Sequence, residues 1–422
     1  MSLAQVHYAG APDGPPGLRG TGSRFTAVTP GVPAALLREA ERLIGYEPPE
    51  DAPPRPTEEQ LASFPVALSL STLSDGSRLL ARTVCTGADP DDPAGRPGGF
   101  HAHAVHLPGP DGSGAVQGAL PITAWGSPQW ASRTPPGGPP PPLAKVPAPG
   151  RHDAAALAAF VAARGPWLEG FFADVRRLGT DPGAPRIVLV EPDSGDVARW
   201  VMLACSVLPH RRGQWLTFTT YTRRPERAPQ QLIGVRPGGD GRLAGAEQRY
   251  RIHAPAREPA PAGSAPSAHP WARTAARVWL AGRPQLFAEV RRLPGDPYDA
   301  GPLAALALAA GIPLDAPARA KAADWAAEHG DALDDTRLDA LHRALNLPAR
   351  PEQPPAPPAD RPAEPGHTTA PDHAEPTGPA TGQQDAPDDT RPERALPAPA
   401  PGGGAHVSGG RPGAVSPAGR RS

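Results

Sequence analysis

The sequence predicts an α+β fold in two domains, followed by a short all-helical block and a disordered, proline-rich tail. Three features support this: short runs that alternate like β-strands, longer runs with helical spacing, and the uneven placement of 63 prolines and 47 glycines. Strand and helix patterns follow each other in mixed order, which is typical of α+β proteins. The predicted boundaries are 1–132 (N-terminal α+β domain), 133–150 (Pro/Gly linker), 151–253 (middle α+β domain), 254–270 (second linker), 271–347 (helical region) and 348–422 (tail).

The N-terminal domain is predicted to be mostly β with one amphipathic helix. Its "SDG" turn between two apolar runs is typical of a hairpin. Leucines and alanines recur on one face of residues 33–46, which predicts the helix. The predicted strands are 3–9, 24–31, 65–73, 78–86 and 100–108.

The middle domain opens with two helical patterns, and Pro166 stands where a first-turn proline belongs. A buried-type strand, a helix and two further strands follow. The predicted helices are 153–165, 166–179 and 196–209, and the predicted strands are 186–192, 214–225 and 230–237. Short helices with Pro, Gly and Asp at their joints fill the helical region.

Two proline-rich stretches separate or follow these blocks. Residues 133–150 predict a stiff, extended linker of polyproline character. Residues 351–422 contain no aromatic residue and no isoleucine, so this segment cannot bury enough apolar area to offset its ordering entropy. The sequence therefore predicts a disordered tail.

Bulk composition excludes several classes of protein. The 42 basic and 43 acidic residues balance, so no overall field attracts nucleic acid or an anionic membrane. Cys85 and Cys205 lie in apolar settings without zinc or redox spacing, which predicts two buried free thiols. The N-terminus has no signal-peptide pattern, and no apolar run is long enough to span a bilayer, so we expect a cytoplasmic protein.

Three histidines in one predicted strand are the main candidates for chemistry. Alternation along a strand puts His101 and His103 on one face and His106 on the other. A pair this close could bind one metal ion, but zinc takes three or four ligands, and His7 and His152 are the nearest further candidates. A structural or interaction surface, a metal site and a general acid–base role all stay open, in that order of preference.

Motifs for nucleotide hydrolysis and covalent catalysis are absent from the sequence. The Gly-rich stretch 14–25 precedes a strand and has no lysine after its last glycine, so it is not a P-loop. The only lysines, Lys145 and Lys321, lie in the linker and in a surface helix, and no Gly-x-Ser-x-Gly elbow exists. We expect no enzyme activity and no cofactor.

Two charged stretches could each have a binding role or a structural role. Glu191, Asp193 and Asp196 follow a predicted strand and could chelate Mg²⁺, although capping of the next helix by Ser194 or Asp196 is the commoner arrangement. The turn at residues 221–229 contains Arg223, Arg224 and Arg227, with Arg236 nearby. These arginines could contact phosphate or RNA, but a solvated turn is the preferred interpretation.

Four stretches in order resemble the GTPase-associated protein family of actinobacterial conflict systems, in its N-terminal domain of type two and its middle domain. They are "QVHYAGAPDGPPGLRGTGSRFTAVTPGVP", "GRPGGFHAHAVHLP", "PITAWGSPQW" and "SVLPHRRGQWLTFTTYTRRPERAPQQLIGV", within residues 1–250. The residues that match the family's pattern are Gly17, Leu18, Gly20, Phe25, Phe100, His101, His103, Leu216–Tyr221 and Pro225.

The resemblance implies a non-catalytic adaptor or regulatory helper in a GTPase-centred bacterial defence system. Its partner would be a small GTPase or another product of the neighbouring genes. The expected contacts are two aromatic side chains predicted to be exposed, Trp125 and Trp130, and the turn residues Tyr221, Arg223 and Arg224. The alternative is a metal-dependent enzyme centred on His101 and His103. Nucleic-acid binding is a third class, which the balanced charge disfavours.

Overall fold

The computed structural model describes residues 2–10, 24–87, 99–109, 119–150, 153–255 and 269–347, all within one compact unit, Met1–Gln353. In this part of the chain, nine strands form a single sheet. They are β1 (Gln5–Gly10), β2 (Arg24–Val28), β3 (Ala67–Thr72), β4 (Arg78–Gly87), β5 (Gly99–Leu107), β6 (Arg186–Val190), β7 (Phe218–Thr219), β8 (Leu232–Val235) and β9 (Tyr250–His253). Their order across the sheet is β2-β1-β5-β4-β3-β7-β8-β6-β9.

Eleven helices accompany the sheet in the described residues. The N-terminal part of the chain contains α1 (Ala34–Leu43) and α2 (Glu58–Ser63). The middle part contains α3 (Ala154–Ala163), α4 (Gly165–Thr180), α5 (Ser194–Val207) and α6 (His210–Trp215). The helical region contains α7 (Pro270–Leu280), α8 (Leu286–Val290), α9 (Ala300–Ala309), α10 (Ala316–His329) and α11 (Asp335–Leu345). The predicted α+β class, with helices after residue 270, is confirmed for these residues.

The sheet has an antiparallel half and a parallel half. Strands β1 to β5 pair antiparallel, whereas β6, β7, β8 and β9 pair parallel. The two halves meet where β3 pairs antiparallel with β7, with Leu70 opposite Phe218. One continuous sheet therefore crosses the predicted boundary between the two α+β domains. The domain limits themselves stay predictions.

Side chains of the antiparallel half alternate between two apolar layers. Val6, Tyr8 and Phe100 point towards α1, whose Ala40 is fully buried. Val105 and other side chains of the opposite face belong to the main core, which continues into the middle half and the helical region. Alternation of strand side chains explains why one strand supplies both layers.

The predicted linker at residues 133–150 connects the halves but is packed against the sheet. Leu143 forms a two-way backbone bridge with Leu3, at 2.7 and 2.8 Å. The Thr29 hydroxyl donates to the Pro140 carbonyl at 3.0 Å, and Val146 is buried in the main core. Proline removes backbone donors, so this segment makes few ladder bonds and is held largely by contacts of this kind.

One predicted strand is largely wrong. Residues 214–225 were expected to be extended, but only Phe218–Thr219 form a strand, and α6 occupies the positions just before it. Pro209 precedes α6, and Gly213 lies so close to the Cys205 carbonyl that a Cβ there would be 2.6 Å from its oxygen. The close packing of α5 and α6 therefore overrides the alternating pattern.

Some predictions fall outside the described residues: those for Gly17, Leu18, Gly20, His152 and the tail 348–422, and most of the second linker. No helix in the described part of the chain is both long and apolar enough to cross a membrane.

Candidate functional site

A polar site lies where the two halves of the sheet meet. The turn after β7 and the residue after β8 lie at the carboxyl ends of parallel strands, where α/β sheets commonly bind ligands. A proline-rich segment at residues 46–56 runs past this edge without helix or strand. Between them is a cleft of about 480 Å³, here called the Arg–Glu cleft. Its lining residues are Glu47–Glu50, Ala52–Pro54, Pro56, Phe64, Cys85, Arg223, Arg224, Glu226, Arg227 and Arg242.

Ion pairs connect the two walls of the cleft. The Glu50 carboxylate accepts hydrogen bonds from both Arg223 and Arg242, each at 3.0 Å. Glu47 pairs with Arg224 and lies 3.8 Å from Arg223. The hydrogen bonds from Arg223 and Arg242 lower the pKa of Glu50, and the bond to Glu50 raises the pKa of Arg242. Arg223 and Arg224 are therefore paired within the chain.

The three acidic residues of this segment differ in how firmly they are held. Glu47 is one-quarter exposed in its side chain, and its backbone carbonyl accepts from the Tyr221 hydroxyl at 3.0 Å. Glu50 is 68% exposed. Asp51, paired with Arg236 at 3.0 Å, is 75% exposed. Exposed pairs contribute little to stability, so Glu50 and Asp51 are held more weakly than Glu47.

Tyr221, one of the predicted contact residues, is buried. Its ring is 5% exposed and packs 5.5 Å from the ring of Tyr46, because alternation after β7 turns it into the apolar layer beneath the cleft. Burial raises the pKa of the Tyr221 hydroxyl. Arg223 and Arg224, by contrast, keep about a quarter to a third of their side-chain surface exposed.

The tryptophans are also less exposed than the sequence predicts. Trp130 is 7% exposed, its indole N–H donates to the Ala124 carbonyl at 2.7 Å, and its ring meets His103 edge to face at 5.2 Å. Trp125 is half-buried and packs against the main core. Residues 119–150 fold over the sheet face, and this burial could not be anticipated from a segment so rich in proline.

The predicted histidine pair becomes a cluster of three: His7, His101 and His103. His7 on β1 lies opposite His103 on β5, and their rings stack with centroids 4.4 Å apart. His7 Nδ1 lies 3.4 Å from His101 Nε2. All three are at most 3% exposed. His106 points to the other face, as predicted, and its Nε2 lies 2.8 Å from the Ser77 hydroxyl.

Burial keeps the cluster uncharged near neutral pH. It lowers the pKa of His7, of His101 to about 4 and of His103 to about 3, with smaller contributions from the neighbouring imidazoles. The half-buried Arg82 guanidinium lowers the pKa of His101 and His103 further. A cationic neighbour of this kind also disfavours a bound metal cation.

Both ring nitrogens of His103 are already in use. Its Nδ1 accepts from the Ala131 backbone N–H at 3.1 Å, so in the neutral ring Nε2 bears the proton and donates to Gln5 Oε1 at 2.8 Å. A metal ion would need the lone pair that the Ala131 N–H occupies. Among the described residues, no three His, Cys, Asp or Glu side chains are grouped to hold a metal ion.

The acidic residues after β6 have structural partners. The Arg164 guanidinium donates two hydrogen bonds to the buried Glu191 carboxylate, at 2.9 and 2.8 Å, and the Trp200 N–H donates a third at 2.8 Å. The predicted cap of α5 was Ser194 or Asp196, but Asp193 is the cap and accepts from the Gly195 N–H at 3.0 Å. Asp193 precedes the first helical residue and has the extended backbone that an N-cap requires.

The two cysteines are free, as predicted. Cys205 is fully buried, its thiol donates to the Gly213 carbonyl at 3.3 Å, and burial raises its pKa to about 12. Cys85 is half-buried and lines the Arg–Glu cleft, and burial raises its pKa as well.

Sequence reasoning missed the partners of the arginine turn. The acids at residues 47–51 and Arg242 were not singled out, although the acidic, proline-rich "EPPED" could have been matched by charge to the arginines. Nothing in the local pattern says that segments about 170 residues apart meet, as Arg223 and Glu50 do.

Comparison with known protein families covers most of the chain. The model described as GTPase-associated protein 1, N-terminal domain type 2, matches residues 2–146, and that of the middle domain matches residues 157–257. The model of the C-terminal domain of GTPase-associated protein 1 matches residues 279–403, beyond the stretch over which the resemblance was seen in the sequence. No curated protein matches the chain. With three successive domains in order, the chain belongs to the GTPase-associated protein 1 family.

Proposed function

We propose that this protein is a non-catalytic adaptor or regulatory helper of a GTPase-centred bacterial conflict system, acting in the cytoplasm by protein–protein contact. The observation that carries the proposal is the match to all three successive domains of a GTPase-associated family. Because the sequence has no P-loop lysine, GTP hydrolysis is assigned to a partner.

The state of the candidate catalytic groups supports a binding role. A general base or metal ligand needs a free lone pair directed at its substrate. Both ring nitrogens of His103 are hydrogen-bonded, one to Gln5 and one to Ala131. The Glu191 carboxylate accepts hydrogen bonds from Arg164 and Trp200. These contacts fit residues that hold the fold together.

The exposed rim of the Arg–Glu cleft is the proposed contact with the GTPase. Arg223 and Arg224 are the two predicted contacts that combine charge with exposed surface, and Arg227 and Glu226 are exposed beside them. Mixed charge on a rim favours fast and selective association. Tyr221 lies beneath this rim and positions it, whereas Trp125 and Trp130 belong to the packing of residues 119–150.

The proposal is tested by binding between the purified full chain and the GTPase encoded by a neighbouring gene, loaded with GDP or with a non-hydrolysable GTP analogue. We expect a stable complex in one nucleotide state, weakened about tenfold or more in a chain carrying both Arg223→Gln and Arg224→Gln. Arg292→Gln, an exposed arginine of the helical region, is the matched control and should bind like the wild type. Absence of a complex in both nucleotide states would refute the proposal.

Metal analysis tests the enzyme alternative. We expect purified wild-type protein to contain less than stoichiometric zinc and to hydrolyse no GTP by itself. Stoichiometric zinc that is lost in His103→Ala would instead support a metal-dependent enzyme centred on His101 and His103.

A further inference from the structure

The interior of the Arg–Glu cleft has the features of a small-molecule site. Its volume of about 480 Å³ lies within the range of pockets that hold small ligands. Phe64, Cys85 and five prolines give it an apolar lining, and the charged groups surround them. Small-molecule sites combine these same two elements, apolar walls and a few polar groups that fix orientation.

The charges in the cleft favour an anion. Four arginines and three glutamates line it, so the arginines are in excess. One of these, Arg227, is exposed and has no ion pair with another described residue. Displacement of Glu50 from the cleft would leave the Arg223 and Arg242 guanidiniums facing one another with only Glu47 and Glu226 to balance the cluster.

Glu50 already shows how an oxyanion binds there. One carboxylate oxygen accepts a single N–H bond from each of Arg223 and Arg242 at 3.0 Å, so two guanidiniums converge on one oxygen. Guanidinium N–H groups also bind phosphate oxygens, and a phosphate group carries more charge and more acceptor oxygens than a carboxylate. Because the Glu50 side chain is 68% exposed, water can replace its contacts at little cost.

We propose that the Arg–Glu cleft binds a small organic phosphate, whose phosphate replaces the Glu50 carboxylate between Arg223 and Arg242 while its apolar part contacts Phe64 and the prolines. Glu50 then acts as a built-in competitor that occupies the site when the ligand is absent. This inference does not depend on the proposed GTPase contact, since the ligand binds the chain alone.

Calorimetric titration of the full chain tests the proposal with three probes: adenosine monophosphate, guanosine monophosphate and glucose 6-phosphate. We expect at least one to bind, more tightly than inorganic phosphate. Arg242→Gln should weaken binding about tenfold, the loss expected for one charge-assisted hydrogen bond. Glu50→Gln should tighten binding several-fold because the competitor loses its charge, and Arg292→Gln should leave it unchanged.

Three results would overturn the proposal. The first is no binding of any probe at millimolar concentration to either wild type or Glu50→Gln. The second is equal affinity for inorganic phosphate, which would remove the role of the apolar lining. The third is tighter binding of an acidic decapeptide than of every phosphate probe, which would indicate a protein ligand. Because Arg242 and Glu50 are both exposed, these variants should fold, and each thermal midpoint is checked first.

Discussion

The histidine cluster and the Arg–Glu cleft are two polar regions of the same sheet, and their side chains differ in how deeply they are buried. The cluster is uncharged and closed over by Trp130 and Ala131, and His103 is hydrogen-bonded at both ring nitrogens, whereas His7 Nε2 and His101 Nδ1 have no hydrogen-bond partner among the described residues. The cleft is charged and open, and the Glu50 carboxylate that joins Arg223 to Arg242 is 68% exposed, whereas Glu47 is one-quarter exposed. Buried polar groups are costly to disturb, whereas exposed ion pairs exchange readily with water or a ligand. We therefore expect the histidine cluster to matter for folding, and the arginines of the cleft, whose ion pairs are accessible to solvent, to matter for binding.

The largest effect should come from removing the centre of the histidine cluster. His103→Ala loses the bonds to Gln5 and Ala131 and leaves a cavity beside Trp130, so we expect it to lower the free energy of unfolding by about 3 kcal/mol. Urea denaturation measures the change. His106→Ala, on the same strand but half-buried with one hydroxyl contact, is the control and should cost less. An equal cost for both would contradict the structural role of the cluster.

Acid should weaken the protein through the same cluster. The pKa of His103 is about 3 in the folded chain and about 6.5 unfolded, so the unfolded state takes up the proton first as the pH falls. Stability is therefore unaffected above about pH 6.5 and decreases between there and about pH 3.

By about pH 4.5 this residue alone should cost about 2–3 kcal/mol relative to neutral pH. The charged or titratable neighbours of His103 are His7, His101 and Arg82, and all three lower the pKa of His103. The pKa values of His7 and His101 are also lowered by burial, so their protonation should add to the loss of stability in acid. Urea denaturation at both pH values should show a smaller difference for His103→Gln than for the wild type. An unchanged difference in this variant would assign the acid sensitivity to other groups.

A smaller effect is expected where the segment at 119–150 closes over the cluster. Trp130→Phe removes the indole donor to the Ala124 carbonyl and should lower the free energy of unfolding by about 1 kcal/mol. Trp125→Phe is the matched control, since that indole is only half-buried, and should cost less. If the two variants unfold at the same urea midpoint, Trp130 has no special part in this closure.

The smallest effect on folding should come from the cleft. Glu50→Gln removes the charge that pairs with Arg223 and Arg242, yet these groups are exposed and screened, so the thermal midpoint should not change measurably at physiological salt. We expect Glu50→Gln to change the binding of the phosphate probes rather than stability. A midpoint lowered as much as in His103→Ala would show that the ion pairs hold the fold.

Local patterns were enough to predict most elements. Alternation located β1 to β6 and β8, and the same rule separated His106 from His101 and His103. Glycine and proline punctuation located the joints of the helical region. The strand predicted over residues 214–225 was largely wrong, since α6 packs against α5 and extends to Trp215, and only Phe218–Thr219 form a strand.

Long-range contacts could not be predicted. The stacking of His7 on His103 depends on the register of β1 against β5, and the burial of Trp130 depends on a proline-rich segment folding over the sheet. The cleft depends on Glu50 meeting Arg223 from a distant part of the chain. Each is set by tertiary packing, which leaves little trace in residue order.

The most direct test of the account is amide hydrogen exchange, measured by mass spectrometry on the full chain alone and in complex with the GTPase. The account predicts slower exchange in peptides covering residues 47–51 and 221–227, and no change in peptides covering residues 100–106. Protection of residues 100–106 and 130–131 with the cleft unaffected would place the contact at the histidine cluster and contradict the account.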